Sequence, residues 1–184
     1  NTAGVLGSAL TFNGTDGYLD CGPNSLIDVP GSPLNLSDKF TFSFWALTSS
    51  TAHQTVISGD GATDFNGTYN IYITNESIVY EKNNVDPDGE TATAVFTYGK
   101  WQNVVVTYDN PTMKFYINGK MSHSGSAGAP TAFRSFLIGK RGGGSGSYFN
   151  GSLDEIKVFA QTITASEAQR LYAEGVPRHT LARQ

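Results

Sequence analysis

The chain has 184 residues, 39% hydrophobic, 12% aromatic and only 15% charged, with a formal net charge of −4. That length fits one domain able to bury a substantial core. The absence of any basic run argues against nucleic acid as a partner, and no apolar run reaches the ~20 residues a membrane helix needs, which argues against membrane insertion. Much of the remainder is Gly, Ser, Thr and Asn, which suits turns and extended structure better than helix. Cys21 is the lone cysteine, so it forms no internal disulfide and no cysteine metal cluster; it reads as a small core or near-surface thiol. The five N-x-S/T triplets at Asn13, Asn35, Asn66, Asn75 and Asn150 would matter in a eukaryotic secretory pathway, but arise readily by chance in such a composition.

In chain order, "SALTFNGTDGYLDCG" predicts a strand, a turn at Asn13–Gly17 and a second extended stretch. "NSLIDVPGSPLNLSD" is punctuated by prolines and glycine and predicts a loop. "KFTFSFWALTSS" alternates strictly, placing Phe40, Phe42, Phe44 and Ala46 on one buried face and Thr41, Ser43 and Trp45 on the other. "TYNIYITNESIVYEKNN" predicts two short strands around Asn75–Ser77, with Tyr69, Ile71 and Ile73 opposite Asn70, Tyr72 and Thr74. "VDPDGETAT" predicts a polar loop. In "WQNVVVTYDNPTMKFYINGK", Trp101–Tyr108 and Met113–Ile117 predict strands, and Asn118–Gly119 a tight turn, because both residues accept positive φ. "AFRSFLIGKR" and "SLDEIKVF" add strands; in the latter, alternation puts Ile156 and Val158 on one face and Leu153, Glu155, Lys157 and Phe159 on the other. One helix follows, with Thr164 and Glu167 as a capping box, an Ala168–Leu171–Tyr172 stripe and Gly175 as its terminator. Residues 176–184 carry no periodicity and read as a tail, leaving 1–175 as the domain. About a dozen strands and one short helix predict an all-β, two-sheet antiparallel sandwich.

Four of these segments, "ALTFNGTDGYLDCG", "FTFSFWAL", "KWQNVVVTYDNPTMKFYINGK" and "LIGKRGGGSGSYFNGSLDEIKVFAQTITASEAQRLYAEG", occur in an order that resembles the laminin-G-like jelly-roll domains of the concanavalin A-like lectin/glucanase superfamily. The resemblance implies a jelly roll whose first and last strands lie side by side, with Trp45 and Trp101 at packing positions. It also implies that a structural calcium near those strands is common. It implies a noncatalytic carbohydrate-binding or adhesion module of a larger secreted or cell-surface protein, tethered to other domains, with a glycan or an extracellular protein as partner. The alternatives are a structural or protein-interaction domain of the same fold, and a polysaccharide-active enzyme with an unrecognised site.

Tested for chemistry, the glucanases of this fold use "E-x-D-x-x-E", which sets carboxylates on one strand face ~5–5.5 Å apart for retaining hydrolysis. Here the pair Asp154–Glu155 is adjacent, so strand alternation sends its members to opposite faces, and Ile156 occupies the position after next. His53, His123 and His179 have no partner at telling spacing and read as loop residues. Calcium takes six to eight oxygen ligands. Asn13 and Asp16 in the first turn, joined by Asp154 if the terminal strands pair, could supply some of them; the competing reading makes Asp16 a turn residue and Asp154 a cap for backbone N–H groups, with Glu155 paired to a surface cation. For a sugar, an aromatic platform with planar polar groups is needed. Three regions offer one: Tyr72, Tyr80, Glu81, Asn83 and Asp86; Asp60, Asp64, Phe65 and Asn66; and Arg141 with Tyr148. Each aromatic among them has a core or sheet-surface alternative.

Overall fold

The computed structural model describes residues 2–23, 36, 38–60, 69–82, 90–92, 96–127, 135–142 and 147–181. In chain order the strands are β1 (Thr2–Ala3), β2 (Ser8–Asn13), β3 (Leu19–Pro23), β4 (Lys39–Leu47), β5 (Gln54–Asp60), β6 (Tyr69–Thr74), β7 (Ser77–Lys82), β8 (Glu90–Ala92), β9 (Gln102–Asp109), β10 (Thr112–Ile117), β11 (Lys120–Ser126), β12 (Ser135–Ile138) and β13 (Asn150–Phe159), followed by α1 (Ala165–Leu181). They build two antiparallel sheets, one of seven strands ordered β1-β2-β13-β4-β9-β10-β11 and one of six ordered β3-β12-β5-β6-β7-β8. This is the two-sheet antiparallel sandwich the strand pattern predicts and the jelly roll the resemblance implies, and β2 pairs with β13, so an early strand and the last strand do lie side by side.

The core between the sheets is aromatic. Phe40, Phe42 and Phe44 of β4 are at most 1% exposed, and Phe40 and Phe42 meet Tyr69 from the facing sheet, Phe40 also Tyr80. Phe42 stacks on Tyr69 at 5.7 Å between centroids, and Phe40 on Tyr108 at 5.2 Å. Offset aromatic pairs of this kind add to the area they bury, which favours one register over its one-residue slip. Two turns close with the chemistry read from the sequence: Asn118 and Gly119 both take positive φ, as do Asn75 and Glu76 between β6 and β7.

Several expectations change. The second face of β4 is buried too, because α1 and the segment leading into it pack over it: Trp45 is 4% exposed and stacks on Tyr172 of α1 at 5.7 Å, and Thr41 Oγ1 donates to Gln161 O (2.8 Å) before the helix. The capping box forms as read, with Thr164 N–H donating to Glu167 Oε2 (2.7 Å) and Glu167 N–H to Thr164 Oγ1 (3.3 Å). Gly175 does not terminate the helix, which runs on to Leu181; a Cβ there would lie 2.5 Å from Trp45 Cζ2, so the glycine lets the helix backbone close on the indole. The sequence around Glu90, expected as loop, supplies strand β8, paired with β7. His123 lies in β11 and His179 in α1, while His53 precedes β5.

The last strand departs most. Trp45 and Ser43 of β4 pair with Asp154 and Lys157, so three steps on β13 match two on β4. That is a β-bulge, with Glu155 at φ 49 as the extra residue. The bulge resets the alternation: Leu153, Ile156 and Val158 all pack against the main core, and the two-face assignment by strict period two is wrong for this strand.

Candidate functional site: the outer face of the six-stranded sheet

The acidic pair in the bulge has structural duties. Asp154 Oδ2 accepts from Leu6 N–H (2.9 Å) and Oδ1 from Glu155 N–H (2.9 Å), while Glu155 Oε2 pairs with Lys157 Nζ at 3.0 Å. Asp154 therefore clasps the β1–β2 turn, and the close approach requires Gly4, where a Cβ would sit 2.5 Å from Asp154 Oδ2. Removing that carboxylate in Asp154→Ala strands a partly buried N–H, which costs about 1–3 kcal/mol. Urea unfolding is expected to show the midpoint falling accordingly with an unchanged slope; an unchanged midpoint would mean the clasp contributes nothing.

The three residues considered for calcium do not come together. Asn13 pairs with Asn150, and Asp154 lies four residues further along β13, about 13 Å at ~3.3 Å per residue. Asn13 Oδ1 already accepts from the N–H groups of Thr15, Asp16 and Gly17 (2.9, 3.2 and 3.2 Å), and Asn13 Nδ2 donates to Asp16 Oδ1 (2.7 Å). The Asn13–Asp16 turn is thus closed on itself by its own hydrogen bonds, and these residues do not fit a calcium cage.

A different constellation forms on the outer face of the six-stranded sheet. On β6, alternation turns Tyr69, Ile71 and Ile73 into the core and leaves Asn70 and Tyr72 facing outward. The register sets Thr55 of β5 and Val79 of β7 beside Tyr72, and Ser58 and Glu81 beside Asn70. Ser58 Oγ donates to Lys140 O (2.8 Å) and accepts from Gly142 N–H (3.1 Å), which ties the segment after β12 across this face. Arg141 then reaches Glu81, Nη2 to Oε1 at 3.5 Å, with each side chain about one quarter exposed. His53 stacks on Tyr72 with centroids 4.1 Å apart and planes at 27°. Burial lowers the His53 pKa from its ordinary value, the Arg141 cation lowers it further, and the Glu81 carboxylate opposes both. The ring is therefore neutral at neutral pH and stacks as an uncharged aromatic.

Among the described residues, two buried polar atoms on this face lack a hydrogen-bond partner: Asn70 Oδ1, in a residue 5% exposed, and Thr55 Oγ1, in a residue 0% exposed. Unpaired buried polar groups are uncommon, and most such groups are satisfied by protein or ordered water. The face thus joins a two-ring wall, a carboxylate–guanidinium pair and unsatisfied polar atoms.

Of the sugar-binding candidates, Tyr72, Glu81 and Arg141 meet here. Tyr80 does not: it is in phase with Ile78 on β7, is 0% exposed, and burial raises its phenol pKa, with Tyr108 adding to the shift. Tyr148 joins a separate cluster with Tyr18 and Lys140. Asn83, Asp86, Asp64, Phe65 and Asn66 lie outside the described residues, as does the side chain of Asp60. The sequence reading missed Asn70, Thr55 and His53. Asn70 was visible as the outward neighbour of Tyr72 in the β6 alternation, whereas nothing local to His53 signals its stack.

Elsewhere, an apolar cleft of about 540 Å³ opens between the sheets, lined by Leu10, Leu19, Phe136, Ile138 and Ile156 among others, with Cys21 on its wall. Cys21 is exposed, and burial of its sulfur followed by the Asp20 carboxylate raises its pKa. No helix among the described residues is long and apolar enough to cross a membrane.

Comparison with known structures bears on the fold. Domain 4 of AbnA, a GH43 extracellular arabinanase from Geobacillus stearothermophilus solved with arabinotriose, superposes with a TM-score of 0.70 at 21% identity, over 93% of this chain and 79% of that one. The CBM40 of the Ruminococcus gnavus IT-sialidase, solved with α2,3-sialyllactose, gives 0.72 at 19% identity, over 91% and 98%. A heptameric SAP-like pentraxin from Limulus polyphemus gives 0.63 at 14% identity, over 88% and 80%. No curated protein matches this chain significantly in sequence. The laminin-G-type family model described as the concanavalin A-like lectin/glucanases superfamily matches residues 14–169. With that match and the two-sheet jelly roll, the chain belongs to the concanavalin A-like lectin/glucanases superfamily as a laminin-G-type domain.

Proposed function

We propose that this domain is a noncatalytic carbohydrate-binding module of a secreted or cell-surface protein, and that it takes glycan on the outer face of the six-stranded sheet. The observation that carries this reading is the co-location of the His53–Tyr72 rings, the Glu81–Arg141 pair and the unpartnered Asn70 Oδ1 on one face. Sugar recognition needs this mixture: apolar ring surface against pyranose or furanose C–H groups, and planar polar groups that read hydroxyls in pairs. The arabinotriose and sialyllactose held by two domains of like fold support the ligand class without fixing which sugar applies here.

In this arrangement Glu81 fixes the Arg141 guanidinium before ligand arrives, and a preorganised group loses less entropy on binding. The test is a glycan array with the purified monomer followed by calorimetry on the strongest hits. Saturable binding supports the module, and absence of binding to every neutral and charged glycan, with a protein captured from the native surface instead, would favour the protein-interaction alternative.

The calcium implied by family resemblance is a separate matter. Since Asn13 and Asp154 already satisfy backbone N–H groups, EDTA is expected to leave the Tm unchanged. A fall of several degrees that calcium restores would contradict this reading.

A further inference from the structure

A second cluster sits where the strand after the first turn begins. Lys140 Nζ lies 4.6 Å from the centre of the Tyr18 ring and 5.8 Å from that of Tyr148, and the two rings are 6.5 Å apart with planes at 54°. Three local devices fix it. The Asn13 side chain caps the turn that delivers Tyr18, through Oδ1 to the N–H groups of Thr15, Asp16 and Gly17. A β-bridge joins Lys140 to Tyr148. Ser58 Oγ pins the Lys140 carbonyl on the sheet, while the next side chain, Arg141, is committed to Glu81. Consecutive residues of one tied segment thus present one cation to each of two places.

The Lys140 cation is held by rings rather than by an acid. Among the described residues no carboxylate lies within ion-pair distance of it. Of the acids flanking Tyr18 in the sequence, Asp16 accepts from Asn13 Nδ2 and Asp20 from Gly22 N–H. Tyr18 is 44% exposed, so a ring surface stays open beside the ammonium. A cation–π contact positions an ammonium without neutralising its charge, and leaves its N–H donors for an anion. Open aromatic surface beside a positioned cation with no carboxylate partner among the described residues suits a sugar bearing a negative group: C–H faces on the ring, carboxylate or sulfate oxygens on Nζ.

We propose that Tyr18, Lys140 and Tyr148 form a second subsite that recognises the carboxylate or sulfate of an acidic glycan. This rests on the carbohydrate-binding reading above but is separable from it, because it uses other residues. The test compares paired probes by calorimetry at low and high salt: trigalacturonate with its methyl ester, sialylated with unsialylated lactose, and a sulfated chondroitin tetrasaccharide with its desulfated form. Wild type is expected to bind at least one anionic member more tightly than its neutral partner, with the preference shrinking as salt rises. The pair that responds tells carboxylate from sulfate. Lys140→Gln is expected to erase that preference, about tenfold in affinity for one lost charge-assisted contact, while leaving binding of the neutral partner and the Tm unchanged. Tyr18→Ala is expected to weaken the same probe. The proposal is overturned if no pair is discriminated, or if Lys140→Gln keeps the preference. If neutral glycans bind and lose affinity on Tyr72→Ala while no anionic preference exists, the outer-face reading stands and this one falls. If the preference is lost on Lys140→Gln while Tyr72→Ala changes nothing, the reverse holds.

Discussion

Tyr72→Ala is expected to weaken glycan binding by about thirtyfold, the equivalent of about 2 kcal/mol for a central aromatic contact. The size follows from what the ring does. Tyr72 is half-buried on β6, beside Thr55 and Val79, and is the surface on which His53 stacks. Its removal takes away one ring and the support of the second, so both parts of the wall are lost. The β6–β7 pairing does not depend on this outward side chain, since the inward Ile71 and Ile73 hold the strand. Calorimetry should therefore show an affinity loss with a nearly unchanged Tm. Tyr72→Phe, which keeps the ring, should recover most of the affinity. An affinity within twofold of wild type for Tyr72→Ala would remove the ring wall from the binding site.

Gly175→Val is expected to lower stability although it replaces a glycine inside a helix. Helix propensity alone favours the change, since valine is better than glycine by roughly 0.5 kcal/mol in a helix interior. Packing opposes it more strongly. A Cβ at this position would lie 2.5, 2.7 and 2.9 Å from three indole atoms of Trp45, and Trp45 is 4% exposed with no room to withdraw. Overpacking of this kind costs up to about 3 kcal/mol, and here the helix would lift from β4 and uncover Trp45 together with the buried Ala168–Val105–Tyr116 cluster. The net loss of about 2.5 kcal/mol corresponds to a Tm lower by roughly 5–10 °C in a domain of this size. A red shift of the tryptophan emission should accompany it. A Tm that holds or rises would show that α1 is peripheral to the fold.

Gly175 also illustrates how far the sequence can be read. A glycine after an apolar stripe fits a helix terminator and fits a close helix–sheet contact equally well, and only the position of Trp45, 130 positions earlier in the chain, decides between them. The alternation of "FTFSFWAL" disclosed the β4 core face because one backbone period governs it, but it could not disclose that a later helix covers the other face. On β13 the same period misled. A bulge adds one residue without altering composition, so Leu153 and Ile156 look out of phase although both face the core.

The candidate site was partly legible for the same reasons. Tyr72 and Asn70 follow from local alternation, and Tyr80 could have been set aside because it is in phase with Ile78. The pairing of Glu81 with Arg141, and of His53 with Tyr72, depends on strand order in the sheet, which the amino-acid pattern of any one strand does not encode. The three residues considered for calcium are separated by register: pairing β2 with β13 was foreseen, but Asn13 sits opposite Asn150, four residues and about 13 Å from Asp154.

The most direct test of glycan binding on the six-stranded sheet is chemical-shift mapping of the labelled domain titrated with the strongest oligosaccharide hit. Perturbations are expected to concentrate on His53, Thr55, Asn70, Tyr72, Glu81 and Arg141 and to saturate together with one affinity. Perturbations confined to the outer face of the seven-stranded sheet, around Thr107, Lys114 and Met121, would contradict the assignment.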